Sequence, residues 1–236
     1  MGRAFEYRKA AKMKRWGNMS RIFPKLAKAV QMAAKEGGPD PDMNASLRVA
    51  IQNAKAQNMP KTNIEAAIKR AIGKDAEDFQ EVLYEGKGPH GVLIVVECAS
   101  DNTTRTVANV KSYFNKTGGA LVPTGSLDYM FNRKAVFEFN KPEGFDPDEF
   151  ELEMIDYGLQ SVEVDEDTVY AYAEYTEFGN MATALEKMEI EVAKSDLQRL
   201  PTSPVDFTDE QMEDIEKLID KLEEDDDVQA VFNNLG

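Results

Sequence analysis

Ten lysines and arginines stand among the first 35 residues against a single acid, Glu6. Arg3, Arg8, Lys9, Lys12, Lys14, Arg15, Arg21 and Lys25 are the core of this run. Cations at such density displace condensed counterions from phosphates, a sequence-independent source of affinity that falls steeply with salt. Tyr7 and Trp16 lie among them. Aromatic rings beside Arg can stack on unpaired bases, and Trp16 can equally anchor the segment on the helices that follow. Residues 1–74 hold sixteen Lys+Arg and five Asp+Glu, a net of +11, whereas 75–236 hold twelve and thirty-eight, a net of −26; together they make the formal −15. A merely solvated helical surface would intersperse acids, while clustered cations repel one another until a polyanionic partner offsets the repulsion.

Other chemistry finds little support. Gly86, Gly88 and Gly91 satisfy the letters G-x-G-x-x-G, but they precede the apolar run at Val92 and enclose Pro89, so no helix N-terminus would meet a pyrophosphate there. A tight loop entering a strand is expected instead, and no P-loop pattern occurs. His90 is the only histidine and Cys98 the only cysteine, too few for a zinc site and without a neighbouring nucleophile for histidine-based catalysis. Cys98, inside an apolar run, reads as a core residue. The acids of Glu223 to Asp227 lack EF-hand spacing and read as a solvated helix end. No enzyme activity, cofactor, metal or small-molecule substrate is therefore expected. The longest apolar run, Val92 to Val96, is far too short to span a bilayer, and the charged opening lacks the apolar centre of a secretory signal; a cytoplasmic location without membrane contact is the expectation.

These residues need elements to hold them. Ser20 reads as the cap of a helix to about Glu36, with Pro24 in its first turn and Gly37-Gly38-Pro39 stopping it. A second helix spans roughly Met43 to Gln57, with Asp40 or Asp42 as its cap, and a third opens on a capping-box pattern, Thr62 with Glu65, and ends near Gly73. Beyond Gly73 the pattern predicts a strand at Val92 to Ala99, a helix at Thr104 to Lys116, and a strand from Gly125 to Phe131 leading into Ala135 to Phe139. Helix Pro147 to Tyr157, hairpin Ser161 to Val164 and Thr168 to Glu174, helix Asn180 to Met188 and strand Ile190 to Ala193 complete a βαββαβ order of ferredoxin-like type. A helix at Asp209 to Glu223 and a strand at Val228 to Phe232 close the chain. The expected fold is α+β in three domains: a basic helical head at 1–76, an α/β domain at 77–133 plus 201–236, and an acidic ferredoxin-like domain at 134–200 inserted into it.

Several strings are more specific. Arg8-Lys9-Ala10-Ala11, Ile22-Phe23-Pro24-Lys25-Leu26, Asn53-Ala54-Lys55 through Asn58-Met59-Pro60-Lys61, and Ile64 to Ala71 resemble the head of the YebC/PmpR family. Tyr84-Glu85-Gly86, Gly88-Pro89, Asp101-Asn102 with Thr103-Thr104-Arg105-Thr106, Gly118-Gly119, and Gly125-Ser126-Leu127 to Met130-Phe131 resemble its second domain. The likeness covers essentially the whole chain and is weakest from 140 to 195. It implies the same three-domain fold. The usual Gly-His-Ser-Lys-Trp opening is replaced by Met1-Gly2-Arg3-Ala4-Phe5-Glu6-Tyr7, which resembles the YeeN-like subgroup. Family members are commonly labelled DNA-binding transcriptional regulators, while others, including the mitochondrial translational activator of cytochrome oxidase, act on translation.

Two partners follow. Promoter DNA would be held by the head and by Arg105, Lys111 and Lys116, with Asn63, Lys69 and Arg70 on the third helix as the only approximation to a base-reading element. Ribosomal RNA, and with it the ribosome, would take the basic arm while the acidic body stays outside, repelled by any long flanking duplex.

Overall fold

The computed structural model describes residues 19–73, 76 and 78–236, with the backbone alone for 19–21. The chain falls into two compact units. One comprises residues 19–28, 73–132 and 200–236; the other comprises 29–72 and 133–199.

In the first unit, strands β1 (Gln80–Lys87), β2 (Leu93–Ser100), β3 (Ala120–Val122) and β8 (Val228–Asn233) form a sheet of order β3-β1-β2-β8, with β2 antiparallel to both neighbours. Helices α4 (Thr103–Lys116) and α7 (Asp209–Glu223) cover one face, where Ile94, Val96, Val110, Phe114, Ile215, Leu218 and Leu222 are buried together. The loop before β4 (Phe131–Asn140) covers the other face through Leu127 and Phe131 against Val95. β1 and β3 were not anticipated, and the strand expected at Gly125 to Phe131 is instead a turn ending in a 3-10 turn at Asp128–Met130. The cause is Glu85. Its buried carboxylate accepts hydrogen bonds from the amides of Gly125 and Leu127, both at 2.7 Å, which holds the loop folded over the sheet. Thus two of the family-like strings are one physical feature. Gly86 lies in β1 because any Cβ there would overlap the buried ring of Phe114.

The second unit contains the βαββαβ array: β4, α5 (Pro147–Met154), β5 (Leu159–Asp165), β6 (Thr168–Glu174), α6 (Phe178–Lys187) and β7 (Val192–Pro201). The sheet order β5-β6-β4-β7 is that of a ferredoxin-like fold, with Phe137, Phe139, Phe150, Met154, Met181 and Leu185 in its core. Helices α2 (Ala45–Ala56) and α3 (Lys61–Ala71) and the second half of α1 (Met19–Gly37) belong to this unit. Asn44 joins α1 to α2: its side chain accepts from the Leu47 amide, as an N-cap, and donates to the carbonyls of Ala33 and Gly38, both at 2.8 Å. Gly37 is required beside it, since a Cβ would lie 2.6 Å from the Asn44 amide nitrogen.

Local details depart from the sequence reading at three helix starts. Ser20 lies inside α1 rather than capping it, and Pro24 sits beyond the first turn. The cap of α2 is Asn44; Asp40 instead accepts from the Asp42 amide and makes the preceding turn. α3 starts after Pro60, whose preset φ of −58° opens the helix without a side-chain cap, so Thr62 and Glu65 form no capping box and Glu65 faces Lys61.

Candidate nucleic-acid interface

Arg3, Arg8, Lys9, Lys12, Lys14 and Arg15, with Tyr7 and Trp16, lie outside the described residues, and Arg21 is described by its backbone only. The remaining candidates, Lys25 and Arg105, fall in one unit, at an ion cluster built where α1, β2, α4 and the end of α7 meet.

Lys25 donates from Nζ to the carbonyl of Glu223 at 2.7 Å, at the C-terminal end of α7, where the helix dipole favours a cation. Burial lowers its pKa, against the opposing charges of Glu223, Asp225 and Asp226. One turn on, Lys28 donates to the carbonyls of Ala99 and Asp226, at 2.8 and 3.0 Å, and to Asp227 Oδ1 at 3.2 Å. Asp227 is the centre. Its Oδ2 accepts from Arg105 Nη2 at 2.7 Å, Thr106 Oγ1 at 2.8 Å and Ser100 Oγ at 3.3 Å. Burial by itself would raise the Asp227 pKa, but the hydrogen bonds from Arg105, Thr106 and Lys28 and the charge of Lys28 outweigh it and hold the carboxyl below the ordinary aspartate range.

Arg105 lies in the first turn of α4, its amide held by the N-cap Asn102, and its guanidinium spans Asp227 and Asp101, the latter at 2.7 Å. Its pKa is raised, first by the Asp227 hydrogen bond and then by that of Asp101. Next door, Asp225 accepts from Asn109 Nδ2 at 3.1 Å and from the Tyr113 hydroxyl at 3.0 Å. The acidic run at the end of α7 is therefore not the solvated helix end its composition suggested: Asp225 and Asp227 are turned inward onto α4. Asp227 and Lys28 were missed as members of a cluster, because Lys28 meets carbonyls 71 and 198 residues away and Asp227 meets Thr106 121 residues away, and no local pattern announces them.

The side chains with other proposed chemistry settle as follows. His90 occupies a left-handed turn, φ 57°, in the 3-10 turn Pro89–Gly91 that leads into β2, and its Nε2 is 3.1 Å from Asp214 Oδ2, while Asp214 Oδ1 accepts from Lys217 at 2.9 Å. The glycine letters thus precede a strand. Cys98 is buried, and burial, aided by Asp225 and Asp227, pushes its thiol up to about 12, far from a reactive thiolate. Among the described residues no cluster of His, Cys, Asp and Glu has the makings of a metal site, and no helix is long and apolar enough to cross a membrane.

In the other unit α2 and α3 present exposed Lys55, Lys61, Lys69 and Arg70. Between these helices lies a depression of about 530 Å³ lined by apolar Ile51, Met59, Ile64 and Ile68, with Lys55, Lys61 and Glu65 among its exposed residues. Asn63 of α3 is also exposed. On α4, Lys111 and Lys116 are exposed, and the helix contains no acid.

Residues 3–74 match the model of the TACO1/YebC protein N-terminal domain, and residues 79–235 match that of the TACO1/YebC second and third domain. A "Probable transcriptional regulatory protein" of Wolinella succinogenes is 61% identical over 237 residues, and one of Campylobacter curvus is 59% identical over 235, each comparison covering all of both chains. The crystal structure of a conserved hypothetical protein from Aquifex aeolicus superposes with a TM-score of 0.80 at 35% identity, covering 93% of this chain and 90% of that one. With both family models matched and relatives aligned end to end, the chain belongs to the TACO1/YebC family.

Proposed function

We propose that the protein is a non-enzymatic, nucleic-acid-binding regulator of gene expression that acts in the cytoplasm through its basic head. The observation that carries this reading is charge segregation, +11 over residues 1–74 against −26 over the remainder. The printed names of its relatives, probable transcriptional regulatory proteins, agree with it. In this reading Arg3, Arg8, Lys9, Lys12, Lys14, Arg15 and Arg21 make the phosphate contacts, extended by Lys55, Lys61, Lys69 and Arg70 on α2 and α3. The apolar depression between those helices would seat an unpaired base within reach of two ammonium groups. Lys25 and Arg105 add positive charge to their own unit only while keeping the contacts that hold them, since meeting a phosphate directly would take a donor from Asp227 or from the end of α7.

Promoter DNA is the first reading, and a role in transcription, the role the relatives' names give, supports it. Ribosomal RNA is the second reading, and the specific observation behind it is the acidic body, which a long flanking duplex would repel more than a folded RNA entered by a single arm. Sedimentation of the tagged protein in lysate through a sucrose gradient, with and without a DNA-specific nuclease, separates them. Sedimentation that collapses with DNA supports the promoter reading. Co-migration with ribosomal particles, indifferent to the nuclease, supports the ribosomal one, and migration as the free protein in both conditions, at low salt, contradicts both.

A further inference from the structure

Residues 142–186 contain fourteen Asp and Glu and neither Lys nor Arg. Within that stretch α5 turns Phe150 and Met154 into the core of its unit and sets Leu152 toward solvent, 78% exposed, and the 3-10 turn Ile155–Tyr157 that continues it exposes Ile155 to 63%. Leu152 is two positions from both Phe150 and Met154, about 200° round the helix from each, so its exposure follows from the register of a well-anchored helix. Ile155 stands three positions on, beside it. Asp148, Glu149 and Asp156 lie three or four positions from Leu152, all exposed, so carboxylates border the apolar pair at both ends. A polyanion cannot occupy this face, since its phosphates would meet only carboxylates.

We propose that the Leu152–Ile155 ridge, at the C-terminal end of α5 and the 3-10 turn that follows it, is a docking surface for a basic amphipathic helix of another protein. Its apolar side would sit on Leu152 and Ile155, and its lysines or arginines would face Asp148, Glu149 and Asp156. Charge complementarity chooses the occupant: steering comes from the acids, while the two desolvated side chains supply the anchor that resists dissociation. This surface is independent of the nucleic-acid reading, and changes on it leave the basic head untouched.

The test uses the full chain and a fluorescein-labelled synthetic helix with leucines along one face and lysines along the other, followed by anisotropy at low and near-physiological salt. Leu152→Ser with Ile155→Ser keeps every charge and alters no buried side chain; it is expected to weaken binding by about tenfold or more. Glu149→Gln with Asp156→Asn is expected to weaken it as well and to flatten its salt dependence. Undiminished affinity in the serine pair would overturn the proposal, because charge alone would then explain the binding. So would a failure of the unaltered chain to bind the helix at low salt, or a concentration-dependent dimer that the serine pair abolishes, which would make a second copy the occupant.

Discussion

Replacing Asp227 by Asn changes one carboxylate to a near-isosteric amide and tests the ion cluster at the end of α7. The Asp227 side chain is 6% exposed, that of Lys28 12% and that of Arg105 46%. Removing one partner of a buried pair costs about 3–5 kcal/mol when the other charge is left without compensation. Two features reduce that figure here. Lys28 keeps the carbonyls of Ala99 and Asp226, and Arg105 is half-exposed and keeps Asp101, so solvent screens its part of the pair. The amide also presents a donor toward donors that Thr106 and Ser100 can only partly accommodate by rotation. The expected loss is about 2–4 kcal/mol, a fall of roughly 6–12 °C in the melting transition of the unit that holds β8 and α4. The pH dependence gives an independent check. Because the folded carboxyl sits below its unfolded value, its contribution is fully present above about pH 4 and disappears as pH falls through the folded pKa. Thermal melts followed by circular dichroism at pH 7 and in steps below pH 4 should therefore show two curves that converge in acid. Equal melting temperatures at pH 7, or a gap that persists at the lowest pH, would refute the reasoning.

Three further outcomes follow from named contacts. Gly86→Ala forces a Cβ into the fully buried ring of Phe114 and should cost about 2–3 kcal/mol in urea denaturation, more than the roughly 0.5–1 kcal/mol by which Ala would otherwise outdo Gly in a strand. Asn53→Ala removes a side chain that donates to the Ser195 carbonyl at 2.7 Å and accepts from the Ser195 amide at 3.1 Å; hydrogen exchange at Ser195 on the sheet-edge strand β7 should speed up while that in β6 does not. Burial pushes the Cys98 thiol up to about 12, so above about pH 8.5 the unfolded chain loses a proton that the folded chain keeps, and stability falls as pH rises. Denaturation at pH 8 and pH 10 should show that decline, and Cys98→Ala, whatever its absolute stability, should flatten it.

The sequence reading succeeded where a pattern is local and periodic. Helix α7 came out at Asp209 to Glu223, the β5–β6 hairpin within two residues, and the ferredoxin-like order of 135–200 entire, because amphipathic spacing and turn residues carry those elements. It failed where a distant partner decides. β1 looked unlike a strand because Glu81, Glu85 and Gly86 interrupt its apolar residues, yet Glu85 is buried to hold amides forty residues on, and Gly86 makes room for Phe114. Thr62 and Glu65 have the letters of a capping box, but Pro60 had already fixed the entry to α3. Among the candidate site residues, composition identified the cations but not their company: nothing near Lys25 in sequence foretells the Glu223 carbonyl, and nothing near Arg105 foretells Asp227.

The central claim, that the basic head binds a polyanion, is tested most directly by measuring affinity against salt for the full chain and for a variant with Arg8, Lys9, Lys12 and Arg15 all changed to Ala. Each phosphate contact contributes about 0.9 to the log–log slope on duplex DNA and about 0.7 on a single strand. Loss of four should flatten the slope by about 3.6 on a short duplex or about 2.8 on a single-stranded RNA of equal length, with an unchanged circular dichroism spectrum. An affinity and a slope that stay where they were would contradict the account.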